Sequence, residues 1–199
     1  MSGEDPPTAS RPNRAAHVFS SDWFSDNIPI WEEHLAVLRG QPNLRFLEIG
    51  SYEGRSACWL LETILTDDTS RLDCVDRFRG DYTPTFEHNV TVAGAASKVT
   101  KLRGYSQEVL RGLALYSYDG AYIDGSHEAA EVLEDMVLVF RLLKNGGILI
   151  LDDYEWYEHA DPLKEPQLAI DAFLKVFEGR YELLHKAYQV ILRKTVAGR

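Results

Sequence analysis

The stretch LRFLEIGSYEGRS, residues 44–56, decides the fold. It opens on a near-continuous apolar run of strand length that stops at Gly50. SACWLLETIL (56–65) follows with Ala57, Leu60, Leu61, Ile64 and Leu65 at helical spacing. A strand apolar on both faces that turns through glycine into a helix is the repeating unit of a covered parallel sheet. The same alternation continues downstream: RLDCVD (71–76) and KVTKLR (98–103) read as strands, with a helix over roughly 83–94 between them. SQEVLRGLAL (106–115) predicts a helix, YDGAYID (118–124) a strand, and 127–143 a long helix closed by Asn145-Gly146-Gly147. GILILDD (147–153) is the most apolar strand. Pro166 opens a helix that Gly179 ends, and YELLHKAYQVILRK (181–194) reads as an antiparallel hairpin.

Five strand–helix units and a terminal hairpin predict an α/β, doubly wound, seven-stranded sheet. It is mostly parallel, with one antiparallel strand in the C-terminal hairpin and helices on both faces. Residues 17–199 are expected to form a single domain, with a helical segment at 17–42, including IPIWEEHLAVLR (28–39), and a core at 43–194. Residues 1–16, polar and rich in proline, read as a flexible tail without the apolar region of a signal peptide.

Composition narrows the function classes. The 199 residues hold 21 Lys+Arg against 31 Asp+Glu, a formal net charge of −10 that repels phosphate backbones and argues against a nucleic-acid partner. Eight Phe, ten Tyr and four Trp supply burial that disordered chains lack. Cys58 and Cys74 form neither a disulfide framework nor zinc spacing, which suits a reducing compartment. No apolar run approaches the roughly 20 residues that span a bilayer. A cytoplasmic protein without a membrane partner is the expectation.

In doubly wound sheets ligands bind beyond the carboxyl ends of the strands. After the first strand, Gly50 permits a tight turn and Gly54 close packing of the next helix. The G-x-x-x-G spacing departs from the dinucleotide pattern, which disfavours a nicotinamide site. Asp76 ends the second strand where an acid can accept both hydroxyls of a ribose, although a solvated loop acid would look the same. Ser106, after the third strand, suits a helix cap or an adenine contact. Asp124 ends the fourth strand, and Asp152 and Asp153 the fifth. Strands pair about 4.8 Å apart, so three carboxylates would converge, a costly arrangement unless a hard cation such as Mg²⁺ compensates them. Successive strand residues face opposite ways, so Asp152 and Asp153 share an ion only if the chain turns there. His127, three residues past Asp124, is placed to accept a substrate proton. His17, His34, His88, His159 and His185 lack ligand spacing, and no G-x-S-x-G elbow supports a serine nucleophile.

Together these stretches resemble class I S-adenosylmethionine-dependent methyltransferases. They are most similar to the metal-dependent O-methyltransferases, among them the catechol and the macrocin and mycinamicin sugar enzymes. The resemblance covers about residues 43–194 and implies a Rossmann-like fold. It implies that the turn Glu48, Gly50, Ser51, Tyr52, Gly54 and Ser56 holds the cofactor together with Asp76, Asp124 and an adenine-side pair, Ser106 and Gln107. It implies metal ligation by Asp124, Asp152 and Asp153 and a base at His127, where the sugar enzymes carry His and the catechol enzymes Lys. The implied reaction is transfer of a methyl group to a hydroxyl of a small-molecule acceptor. Tyr154, Trp156 and Tyr157, with Trp23 and Phe24, are expected around the acceptor. A homo-oligomer that completes the pocket stays open, as do a non-catalytic cofactor-binding module and, with less support, a nicotinamide-dependent oxidoreductase.

Overall fold

The computed structural model describes residues 16–157 and 161–195. Residues 1–15 of the expected tail, His159 and residues 196–199 lie outside the described residues. Seven strands form one sheet: β1 (Arg45–Ile49), β2 (Arg71–Asp76), β3 (Val99–Arg103), β4 (Tyr118–Ile123), β5 (Leu143–Leu151), β6 (Tyr181–Lys186) and β7 (Val190–Lys194). Their order is β3-β2-β1-β4-β5-β7-β6. The β7 strand runs antiparallel to both its neighbours, and the other strand pairs are parallel. One reversed strand in a terminal hairpin is what the sequence predicts.

Alternation along the strands explains why both faces are covered. Leu47, Ala121, Ile123, Leu149 and Leu151 enter one apolar cluster, while Phe46, Tyr122, Ile148 and Ile150 enter the other. The first cluster is closed by α4 (Ser106–Leu110), α5 (Ala129–Leu142) and α6 (Pro166–Val176); the second by α1 (Ile28–Leu35), α2 (Arg55–Thr63) and α3 (Tyr82–Val92). The chain runs outward from β1 to β3 and then returns to β4 on the other side of β1. The switch point therefore lies between β1 and β4, and their carboxyl ends define the crevice where a ligand is expected.

Three expected boundaries move. The α4 helix ends at Leu110 instead of 115, before a turn at Gly112 and Leu113. The α5 helix starts at Ala129, after an extended Glu128, which leaves His127 in the loop before the helix. The chain passes straight from α5 into β5 at Leu143, so Asn145-Gly146-Gly147 forms an irregularity inside the strand, between the pairs Tyr118–Leu143 and Gly120–Ile148. Glycine is used there as a bulge residue instead of a helix stop. No helix among the described residues is long and apolar enough to cross a membrane.

Candidate active site

A cavity of about 800 Å³ opens at the carboxyl ends of the central strands. That volume lies within the range of small-molecule sites. Gly50, Tyr52, Asp76, Ser106, Gln107, Asp124, His127, Asp152 and Asp153 all border it, so the sequence-derived residues converge from five separate strand ends. A smaller hollow of about 50 Å³ is bordered by Ser51, Ser56 and Asp124, with Phe24 from the N-terminal segment.

The turn after β1 is built for close packing. Gly50 has φ +84°, and a Cβ there would lie 1.8 Å from the Asp124 carbonyl oxygen, so only glycine lets β1 and β4 end side by side. Gly54, at φ +81°, meets the Phe86 ring in the same way. Glu48 is wholly buried beneath the turn, where it accepts the Ser56 hydroxyl at 2.6 Å and the Cys74 thiol. Burial pushes its carboxyl up from the usual range. Its place is under the site, with no face on the larger cavity.

Asp76 organises the same turn from β2. Its Oδ2 accepts the backbone N–H groups of Ser51 and Tyr52 at 3.0 and 3.1 Å; its Oδ1 accepts the Phe78 N–H at 2.8 Å and the Tyr82 hydroxyl at 2.9 Å. Tyr52 sits at φ +45°, and its ring lies between those of Tyr82 and Trp23, with centroids 5.2 and 5.6 Å away. Ser106 is the first residue of α4 and caps nothing. Its hydroxyl donates to Asp135 Oδ2 at 2.9 Å, and Gln107 Nε2 donates to Asp135 Oδ1 at 3.1 Å. Burial pushes the Asp135 carboxyl up to about 7.

At the ends of β4 and β5 the acids meet. Asp124, His127 and Asp153 offer ligand atoms that all lie within 4.8 Å of one another. Asp153 has φ +61°, and this left-handed residue turns the chain so that its carboxylate meets Asp124 and His127, while Asp152, expected beside them, lies outside that set. His127 Nε2 lies 3.0 Å from Asp153 Oδ2, and its ring packs 4.3 Å from that of Trp156. Tyr188 donates its hydroxyl to Asp153 Oδ1 at 2.8 Å. Asp152 stands behind them. Its Oδ2 accepts the Tyr122 hydroxyl and Gln189 Nε2, and its Oδ1 accepts the Asp153 N–H. Tyr122 also reaches Asp124 Oδ2 at 2.9 Å. Burial, then the charges of Asp152 and Asp153, push the Asp124 carboxyl well above the carboxylate range. Burial and Asp153 push Asp152 up to about 6. Asp124 and Asp152 repel one another and resist ionisation, and carboxylate oxygens gathered in this way form a donor set suited to a hard divalent cation.

A family model described as a methyltransferase domain matches residues 47–154. The chain belongs to this family. Catechol O-methyltransferase of Bos taurus is 32% identical over 123 residues, which are 59% of this chain and 43% of that protein. The chain spans about half the length of the curated relatives it matches. Among solved structures, an O-methyltransferase from Bacillus cereus in complex with SAH superposes with TM-score 0.66 at 18% identity, covering 92% of this chain and 85% of that one. The O-methyltransferase TomG from Streptomyces achromogenes, in complex with SAM, superposes with TM-score 0.62 at 19% identity, covering 84% and 80%. At such identities these two establish the shared fold of the methyltransferase domain.

Within this methyltransferase domain the expected aromatics divide. Trp23 and Trp156 border the larger cavity. Phe24 is buried edge-on against Trp31, and Tyr154 is buried with its hydroxyl on Asp171, so neither borders it. Tyr157 is exposed and accepts from Gln167. Tyr122, Gln189, Tyr188, Tyr82 and Asp135 escaped the sequence reading. Tyr122 had a legible signal, since it lies in β4 two residues before Asp124, the spacing that puts side chains on the same side of an extended chain. Gln189, a polar residue leading into the apolar run Val190–Leu192, had a weaker one.

Proposed function

We propose that this methyltransferase domain transfers the methyl group of S-adenosylmethionine to a hydroxyl of a small molecule, with Mg²⁺ or another hard divalent cation at the acidic centre. The convergence of Asp124, His127 and Asp153 at one end of a cavity bordered elsewhere by Gly50 and Asp76 carries this reading. The likeness to catechol O-methyltransferase and to O-methyltransferases solved with SAM or SAH supports it.

The turn Gly50–Gly54 and Asp76 would hold the cofactor's ribose and amino-acid parts, with Ser51 and Ser56 at the smaller hollow and Ser106 and Gln107 on the adenine side. Glu48 would act from below by fixing Ser56. Asp124, Asp152 and Asp153 would hold the cation. When bound, S-adenosylmethionine supplies an electrophilic methyl group and the cation a Lewis acid that lowers the pKa of the acceptor hydroxyl. His127 takes the acceptor proton, and the Asp153 carboxylate beside Nε2 stabilises the resulting imidazolium. Trp23 and Trp156 border the acceptor and limit water at the reacting atoms. Holding acceptor and methyl donor at near-attack distance supplies several kcal/mol of the barrier reduction.

Calorimetry with S-adenosylhomocysteine, with and without Mg²⁺, tests both halves. Wild type binds, and Mg²⁺ enhances methyl transfer to a catechol or sugar panel. Absence of S-adenosylhomocysteine binding removes the cofactor reading. Metal-dependent turnover that survives Asp124→Asn removes the metal reading alone.

A further inference from the structure

Behind the acidic centre runs a buried chain of hydrogen bonds that begins in the N-terminal helix. Trp31 Nε1 donates to Gln189 Oε1 at 2.7 Å, and Gln189 Nε2 donates to Asp152 Oδ2 at 3.0 Å. Trp31 is 0% exposed, Gln189 1% and Asp152 8%. In so dry a setting each bond is stronger than in water and an unpaired polar group is costly. The sheet itself sets the encounter. Leu151 pairs with Val190 across β5 and β7, and extending that antiparallel register by one residue faces Asp152 with Gln189.

The indole N–H can only donate, so the amide of Gln189 must turn its oxygen to Trp31 and its NH₂ to Asp152. A flipped amide would oppose donor to donor and acceptor to acceptor. The orientation is thus fixed by a residue 158 positions away in the chain. Asp152 passes the constraint on, because its Oδ1 accepts the N–H of Asp153, the residue whose left-handed backbone aims the next carboxylate.

We propose that Gln189, oriented by Trp31, is a positioning residue of the acidic centre. It fixes Asp152, and through Asp152 the turn at Asp153, in the arrangement that binds a divalent cation. This rests on the metal reading above and adds to it a device that ties docking of α1 to cation affinity. Trp31 also packs edge-on to Tyr122 at 4.8 Å, the other side-chain donor to Asp152, so both side-chain donors lean on the same indole.

The test is Mn²⁺ binding to the full chain, read from the loss of the free-ion electron paramagnetic resonance signal, with and without S-adenosylhomocysteine. Gln189→Met keeps length and burial but removes the donor. Its Mn²⁺ affinity is expected to fall 10- to 100-fold, the usual consequence of removing a partner of a metal ligand. Trp31→Phe keeps a ring in the core and frees the amide to flip, so it weakens Mn²⁺ by a smaller factor. In the Gln189→Met background it adds little, because the relay is already broken. Thermal unfolding of the metal-free variants separates position from packing. A lowered unfolding temperature with wild-type Mn²⁺ affinity in both variants overturns the proposal. If Gln189→Met does not fold, Trp31→Phe alone decides by the same criterion. Failure of the wild type to bind Mn²⁺ in either condition overturns the metal reading, and this inference falls with it.

Discussion

Replacing Tyr82 with Phe is expected to tighten the binding of S-adenosylhomocysteine. A carboxylate offers about four acceptor sites. Those of Asp76 are filled by three backbone N–H groups and the Tyr82 hydroxyl. A ribose diol placed on Asp76 therefore has to displace something. The backbone donors of Ser51, Tyr52 and Phe78 belong to the turn itself and cannot leave without unmaking it. The Tyr82 hydroxyl, at 2.9 Å, is a side-chain donor, held besides only by the Arg79 N–H it accepts at 3.1 Å, and is the donor that yields. A hydrogen bond to a charged group is worth about 1.5–3 kcal/mol when well buried. Tyr82 is only half-buried, so about 1 kcal/mol is the reasonable cost of breaking it. Tyr82→Phe removes that cost and keeps the ring against Tyr52. Near 1.4 kcal/mol per tenfold, the gain corresponds to roughly a fivefold lower Kd. Calorimetric titration of both proteins measures it. A fivefold or greater loss of affinity in Tyr82→Phe would refute the reasoning, since it would mean that the hydroxyl itself grips the ligand.

The remaining expectations concern the base, a glycine and a buried acid. His127→Gln should lower turnover by about 10²–10⁴-fold while S-adenosylhomocysteine affinity stays within about twofold; activity close to wild type would remove the histidine from proton transfer. Gly50→Ala should destabilise the fold by more than about 2 kcal/mol in urea unfolding, because a strained φ and a clash with the Asp124 backbone add together. Asp135 has a folded-state pKa of about 7 against an ordinary 3.8, so the folded protein holds its proton more tightly than the unfolded one. Its contribution to stability is complete below about pH 3.8 and is lost as pH rises toward 7 and beyond. The stability of wild type relative to Asp135→Asn should fall by roughly 2–3 kcal/mol between pH 5 and pH 8. A difference that holds constant or grows over that range would show that the carboxyl is not raised.

The sheet was legible because parallel strands buried on both faces announce themselves as near-continuous apolar runs, and Phe46–Ile49, broken only by Glu48, and Ile148–Leu151 are such runs. The strand-end acids were legible for a related reason: ionisable residues stand out where an apolar run stops. What the sequence hid is who holds whom. Asp152 and Asp153 look equivalent in LDD, yet Asp153 joins Asp124 and His127 while Asp152 is engaged by Tyr122, Gln189 and its own neighbour's amide. Asp135 reads as an ordinary helix acid, yet it anchors two residues of the cavity wall from inside the α4–α5 packing. Glu48 reads as a residue that touches ligand, yet it is sealed under the turn. Each of these depends on a partner brought in by the fold from 8 to 37 positions away, and no local pattern encodes that distance.

The way the acids are held bears directly on the chemistry. Buried carboxylates are ordinarily neutralised by Arg or Lys, because desolvation makes a lone charge expensive. Among the described residues, no Lys or Arg forms an ion pair with Asp124, Asp152 or Asp153; the one basic side chain beside them is the imidazole of His127, on Asp153. Their other donors are the hydroxyls of Tyr122 and Tyr188, the Gln189 amide and a backbone N–H. Neutral donors fix direction without removing charge. They leave the mutual repulsion standing, and it adds to burial, the larger cause, in pushing the Asp124 carboxyl up. A lysine in place of Gln189 would have relieved that repulsion permanently and left nothing for a divalent cation to gain. Apart from His127, the described partners of these acids only orient them, so the site keeps its geometry and holds its electrostatic demand in reserve for a ligand that can satisfy it.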